Sequence, residues 1–435
     1  MVFLFLYLYA NFVFMQVFKF GGASVKDAGS VQNVSSILKT TVTEPTVVVI
    51  SAMGKTTNQL ERIVQAYFYG KGDVQTFFTE LKNYHLDMMA ELFPDKKNRI
   101  YAEVENVFVE LLWALEEEPS FPYNHHYDQM VSLGEILSTK IISAYLDSQG
   151  VNNTWLDARG IIQTDNTYRD GVVDYELSQS LVKSDLLPLL KNNNLVITQG
   201  FIGGTSENFT TTLGREGSDY TAALLAYFTD ARQVVIWKDV PGVLNADPKY
   251  FKNTKKISEL SYHDAIELTY YGASVIHPKT IKPLQNKNIP LYVRSFLDPK
   301  EEGTVIKEDS GRNTVTSYIF KENQILISIQ PRDFSFIAEN NLSYIFSLFS
   351  KYNVRVNMMQ NSAISFSVCT DYDEHRIEPL IKDLQEQFKV LYNEDVQLMT
   401  IRNYDPETVA RLSENKIVLL EQKSRQTQQM VMKKV

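Results

Sequence analysis

The chain has 435 residues, with 43 Lys plus Arg against 52 Asp plus Glu and a formal net charge of −9. That length allows two or three domains, and the acidic balance excludes a general nucleic-acid binder, which would present a basic face. The single cysteine, Cys369, excludes an intrachain disulfide and points to a reducing compartment; it falls in an alternating stretch, 365–369, as a small core residue.

Residues 1–18 carry no charge and are rich in Phe, Leu, Tyr and Val. A secretory signal would have a basic start and a small-residue cleavage site, and neither is visible. The run passes directly into a strand of a soluble sheet, so no membrane span is expected. Met15 offers a translation start, which makes 1–14 an upstream extension. The apolar run 13–18, broken only by Gln16, closes on Lys19-Phe20-Gly21-Gly22. A strand ending this way brings one positive charge and bare backbone N–H groups to one point, as a phosphate requires. The spacing matches neither a Walker loop nor Gly-x-Gly-x-x-Gly, and taken alone it also suits a plain turn.

Residues 46–50 are β-branched and predict a buried strand, followed by Ser51-Ala52-Met53-Gly54-Lys55-Thr56-Thr57-Asn58. The stretch 73–118 has apolar residues at three and four and predicts long helices, within an insertion of about 73–130. His125-His126 read as a surface loop pair, since no ligand spacing surrounds them, and no protein metal site is expected. Glu135 follows Gly134 at a helix start. It is either a surface glutamate or a buried carboxylate suited to an ammonium group. Strand 195–198 leads into Gln199-Gly200-Phe201-Ile202-Gly203-Gly204. Next, Gly214-Arg215-Glu216-Gly217-Ser218-Asp219 opens a helix of small residues. Ser218 or Asp219 would cap it, and Arg215 offers a planar fork to a carboxylate or phosphate. Strand 233–237 leads into Lys238-Asp239, then Pro241-Gly242 and Asp247-Pro248-Lys249, turns able to wrap a base and ribose or to serve only as loops. Strand 289–293 is a fourth. Strands ending in Gly, Ser or Asp and separated by helical periodicity predict a parallel α/β sheet with its site at the strand C-termini.

Beyond residue 300 the pattern changes. Strand 325–329, helix 342–349, strands 354–359 and 362–370, helix 377–388 and extended 389–392 give a ferredoxin-like β-α-β-β-α-β order. A second, incomplete set follows: strand 396–401, helix 406–413, and strands 417–420 and 428–433. Residues 314–320 would complete it.

Together these segments resemble the aspartate kinases of the amino acid kinase family, from about Met15 to about Lys433. The resemblance rests on Lys-Phe-Gly-Gly at 19–22, Ser51-Ala52 with Thr57-Asn58, Gly134-Glu135, 198–203, 210–219, Asp239 to Gly242 with Asp247-Pro248, and Gly272-Ala273 with His277-Pro278. It implies a three-layer αβα sandwich with a mainly parallel sheet, followed by ferredoxin-like ACT modules. The domains would be a catalytic domain at 15–300 and a regulatory region at 313–435. That region would hold intertwined modules, one at about 323–392 and the other at about 313–321 plus 393–435. No homoserine dehydrogenase segment follows, as in a monofunctional enzyme.

The implied reaction is phosphoryl transfer from ATP, with Mg²⁺, to the side-chain carboxylate of L-aspartate, the first step of lysine, threonine and methionine synthesis in the cytoplasm. Lys19 would neutralise the moving phosphoryl group, and Asp219 would orient it or the reacting carboxylate. Arg215 would clamp the α-carboxylate and Glu135 accept the α-ammonium. Ser51, Thr57, Phe201 and Ser218 would line the aspartate pocket. Phe20, Gly21, Gly22, Lys238, Asp239, Leu244, Asp247, Lys249 and Ser274 would lie along the nucleotide. Asn340, Leu342, Asn357, Asn361 and Ser362 would meet an amino-acid effector, lysine or threonine. A homodimer or higher homo-oligomer is implied, because ACT modules commonly pair. The alternatives are another carboxylate kinase of the family and an amino-acid-sensing pseudokinase. Retention of Lys19 and Asp219 speaks against the latter.

Overall fold

The computed structural model describes residues 15–273, 276–308, 315–333 and 335–434. The extension expected at 1–14, and Ser274, lie outside the described residues. The chain divides into two compact units, one of residues 1–243, 256–266 and 276–311, the other of 244–255, 267–275 and 312–435.

Ten strands belong to the first unit: β1 (Gln16–Phe20), β2 (Thr46–Ile50), β3 (Thr154–Leu156), β4 (Leu195–Gln199), β5 (Ile202–Gly204), β6 (Thr210–Thr212), β7 (Gln233–Lys238), β8 (Glu259–Ser261), β9 (Leu291–Ser295) and β10 (Thr304–Lys307). Eight form one sheet in the order β3-β4-β2-β1-β7-β9-β10-β8. It is parallel except where β10 runs against β9. β1 and β2 are buried along their whole length, as expected of apolar strands covered on both faces. Phe20 pairs with Ile50 and Trp237, and Ile50 with Gln199, so β1, β2, β4 and β7 end level with one another. Helices start beyond these ends. Asp27 caps Ala28–Thr41 by accepting from Ser30 N at 2.8 Å, and Thr56–Tyr69 follows β2. Within the expected insertion, helices Val74–Leu92 and Arg99–Glu116 are capped by Asp73 and Asn98. His125 and His126 are not in a surface loop. They are buried on helix Tyr123–Val131, where Phe121 stacks on His125 at 4.2 Å and Phe209 and Tyr168 close around it. Burial holds both imidazoles below their ordinary pKa.

The second unit holds one antiparallel sheet, of β11 (Ser317–Pro331), β12 (Val356–Asn361), β13 (Phe366–Asp371), β14 (Phe388–Arg402), β15 (Lys416–Lys423) and β16 (Thr427–Lys434), in the order β12-β13-β11-β14-β16-β15. The short strands expected from the sequence are here halves of two 15-residue strands, β11 and β14. Their pairing slips between Lys321 and Gln324 and again before Leu326. Helices Glu339–Lys351 and Glu374–Gln387 cover one half, and Pro406–Ser413 belongs to the other. Cys369 is a buried free thiol on β13, as expected. The loop 244–255 is bound to β11: Tyr318 N donates to Asn245 O at 2.7 Å, and Phe251 stacks on Tyr318 at 5.1 Å. No helix among the described residues is long and apolar enough to cross a membrane.

Candidate active site

The level ends of β1, β2, β4 and β7 open on a cavity of about 600 Å³. Lys19 enters from β1, Ser51 follows β2, Phe201 follows β4, and Lys238 ends β7. Helix Gly217–Thr229 points its first turn at the same place. Its Asp219 is almost fully buried. Lys19 Nζ lies 2.5 Å from Asp219 Oδ1, and Lys238 Nζ lies 3.8 Å from Oδ2. One carboxylate thus holds two ammonium groups where the strands end.

The expected capping by Ser218 or Asp219 does not occur. Glu216, at φ +55°, precedes the helix, and Ser218 and Asp219 are inside its first turn. This frees both side chains for the cavity. The turn packs tightly: a β-carbon on Gly200 would lie 2.4 Å from Ser218 Cβ, and one on Gly22 would lie 2.7 Å from Ala52 O. Only glycine allows these approaches.

Glu135 is in the first turn of helix Leu133–Ser148 and is 2% exposed. Its Oε1 accepts from Ala52 N at 3.4 Å, and its Oε2 is buried with no partner. Burial pushes this carboxyl up to about 8. An unpaired oxygen of this kind is costly unless a cationic ligand meets it. Arg215 is exposed on the cavity wall, next to Gly214 at φ +77°. Ser51, Thr57, Phe201 and Ser218 line the same space. Its carboxylate oxygens are those of Glu61, Glu135, Glu216 and Asp219.

Several expected nucleotide residues stand elsewhere. Phe20 turns its ring into the core, stacked on Trp237 at 5.8 Å, so only its backbone can serve a ligand. Gly21 and Gly22 form the turn after β1, and Asp239 is exposed just past β7. Leu244, Asp247 and Lys249 belong to the second unit. Conversely, Glu61, Tyr127, Arg169, Thr212 and Glu216 line the cavity without having been singled out.

The effector residues are not all brought together. Asn340 lines a cavity of about 440 Å³ with Arg332, Tyr344 and Gln387. Leu342 packs on the neighbouring core. Asn361 and Ser362 are at the β12–β13 turn, adjacent through Ile337 N, which donates to Ala363 O at 3.0 Å. Asn357 lies apart, bonded to Lys321, Gln324 and Asp371.

Residues 15–295 match the amino acid kinase family. Lysine-sensitive aspartokinase 3 of Escherichia coli is 31% identical over 82% of this chain and 78% of its own. The chain belongs to the amino acid kinase family, among its aspartokinases. Chloroplastic aspartokinase 1 of Arabidopsis thaliana is 31% identical over 82% of this chain and 63% of its own. The fold agrees with this aspartokinase assignment. E. coli aspartokinase III in complex with aspartate and ADP (R-state) superimposes with a TM-score of 0.82 at 27% identity, covering 96% of both chains. The same enzyme with lysine and aspartate (T-state) gives 0.81 at 27% identity, over 96% of this chain and 95% of its own.

Proposed function

We propose that this chain transfers the γ-phosphoryl group of ATP to the β-carboxylate of L-aspartate, giving 4-phospho-L-aspartate and ADP. The observation that carries this reading is the buried, partnerless Glu135 Oε2 facing the same cavity as Arg215 and the Lys19–Asp219 pair. An amino acid presents an ammonium and a carboxylate to just such a set. Glu135 takes the α-ammonium and Arg215 the α-carboxylate, which leaves the β-carboxylate toward the strand ends. A β-carboxylate oxygen attacks the γ-phosphorus, and the bond to the β-phosphate oxygen breaks with its electron pair leaving on ADP. The nucleophile is already ionised, so no general base is needed. Rate comes from alignment and from charge neutralisation by Lys19, with Asp219 fixing its ammonium. Lys238 adds a second positive charge at the same edge.

Asp219 is the carboxylate of the cavity nearest the strand ends and would face Mg²⁺ carried in on ATP, which would supply further positive charge to the phosphates. E. coli aspartokinase III binds aspartate with ADP in one state and with lysine in another. By analogy the second unit takes an amino-acid effector, and the chain acts in the cytoplasm in lysine, threonine and methionine synthesis as a homo-oligomer. The test is ATP turnover with aspartate, glutamate, N-acetylglutamate and UMP offered separately, then with lysine, threonine or methionine added. Turnover specific to aspartate is expected; a preference for another acceptor would overturn the assignment.

A further inference from the structure

Glu61, Tyr127 and Arg169 line the cavity and have no part in the mechanism above. They form a group. Arg169 Nη2 lies 3.8 Å from Glu61 Oε1, and its guanidinium carbon lies 4.3 Å from the Tyr127 ring centre. Arg169 sits in a turn closed by Asp165 N donating to Val172 O at 3.0 Å. Its φ is +71°, in the left-handed region that a side chain disfavours by roughly 1 kcal/mol or more.

A buried carboxylate holds that strained backbone. Asp128 is fully buried. Its Oδ2 accepts from Arg169 N at 2.9 Å and from Thr212 N at 2.8 Å, while its Oδ1 accepts from Thr212 Oγ1 at 2.7 Å. Gly171 N donates to Thr212 O at 2.9 Å. The turn is thereby clamped to β6, the strand that runs on to Arg215, and two guanidinium groups open on one cavity. The backbone is rigidly placed while the arginine head is exposed. Its ion pair with Glu61 is also exposed, and such pairs are worth about 0–1 kcal/mol. A fixed base with a weakly held head suits a group that changes partners when an anion arrives.

We infer that Arg169 is a specificity-determining residue of the acidic-substrate pocket: its guanidinium leaves Glu61 to meet a carboxylate of the entering amino acid, and Glu61 competes with the substrate for it. This rests on the aspartate reading above. Aspartate carries two carboxylates; Lys19 and Lys238 stand at the strand ends where one of them reacts, and Arg169 offers the other a second guanidinium besides Arg215. The Tyr127 ring lies against the guanidinium, and Asp128 holds the backbone from which the side chain reaches.

Steady-state kinetics on the full chain tests this. Arg169→Ala should raise the aspartate KM about tenfold, with kcat and the ATP KM changed less than about twofold, as for loss of one charge-assisted contact. Arg169→Lys should recover part of the loss. Glu61→Gln should act in the opposite direction and lower the aspartate KM about two- to threefold. If Arg169→Ala folds poorly, Arg169→Gly removes the same side chain while suiting the positive φ, and the same KM rise is expected. An unchanged KM on removal of the guanidinium overturns the inference, as does a Glu61→Gln variant whose KM rises in step with Arg169→Ala, because the pair would then be a mere brace. A wild-type chain inert toward aspartate overturns the substrate reading and this inference together, whereas an active wild type with insensitive variants overturns this inference alone.

Discussion

The two sheets bury polar side chains in opposite ways. In the first unit they gather past the level ends of parallel strands, and some are left waiting: Glu135 Oε2 has no partner, and Asp219 holds two lysines. In the second unit the group around Gln324 sits in the middle of the sheet and is satisfied among its own members. Gln324 is 1% exposed. It donates to Asp371 Oδ1 at 2.7 Å and accepts from Asn357 Nδ2 at 2.8 Å, beside the slip in β11. A satisfied network specifies a structure, whereas a buried carboxylate oxygen without a partner on the wall of a cavity points to a ligand there. The difference teaches which buried polar residues to assign to chemistry and which to architecture.

The comparison breaks first at Lys19. Lys19→Ala should cut turnover by about a thousandfold or more while circular dichroism stays unchanged, since it removes charge from the transition state and little from the core. Near-normal turnover would place phosphoryl stabilisation elsewhere.

Glu135→Gln sharpens it. Aspartate KM should rise about thirtyfold or more, and the pH dependence of stability should flatten in a defined window. Burial raises this carboxyl from 4.5 to about 8. The folded state therefore keeps a proton that the unfolded state has lost, so the wild type loses stability as pH climbs from about 4.5 to about 8. The glutamine variant lacks that loss. Melting temperatures of the two across this window should converge toward the acid end and separate toward pH 8; parallel curves would mean the carboxyl is not buried as described. The aspartate KM of the wild type should also fall toward pH 8 as Glu135 ionises.

Gln324→Ala should lower stability by about 1–3 kcal/mol, seen as a lower Tm, without altering kcat measured free of effector. A kcat effect there would make the satisfied network more than architecture. The smallest effect is expected at Cys369, whose thiol burial pushes up to about 12. It should resist maleimide in the native chain and react once the chain unfolds; native labelling would contradict its place in β13.

Much of the candidate cleft was legible because local chemistry sat on local punctuation. Lys19, Ser51, Phe201 and Lys238 each end or follow an apolar run, so their convergence follows from the parallel sheet. Arg169, Glu61 and Tyr127 gave no such signal. Arg169 reaches its clamp across 41 residues and Thr212 reaches it across 84, and no local pattern encodes either. The left-handed φ of Arg169 is equally invisible, since arginine gives no hint of it. His125-His126 looked solvated because a Pro-Tyr-Asn segment precedes them, yet that segment starts a helix whose aromatic cover comes from Tyr168 and Phe209. In the second unit the sequence reading keeps 314–320 and strand 325–329 as separate segments, with Lys321 to Asn323 between them. Those three residues are instead the irregularity inside β11, where a long strand absorbs extra residues without ending. The pattern of modules was readable; the continuity of the strands through both halves was not.

The most direct test of the central claim is to trap the product. An acyl phosphate reacts with hydroxylamine to give a hydroxamate, which a ferric salt reveals. Incubation of the chain with ATP, Mg²⁺, hydroxylamine and L-aspartate should yield aspartyl hydroxamate in step with ADP, and Lys19→Ala should yield almost none. ADP release without hydroxamate, or hydroxamate formed equally well by Lys19→Ala, would contradict phosphorylation of the β-carboxylate at this cleft.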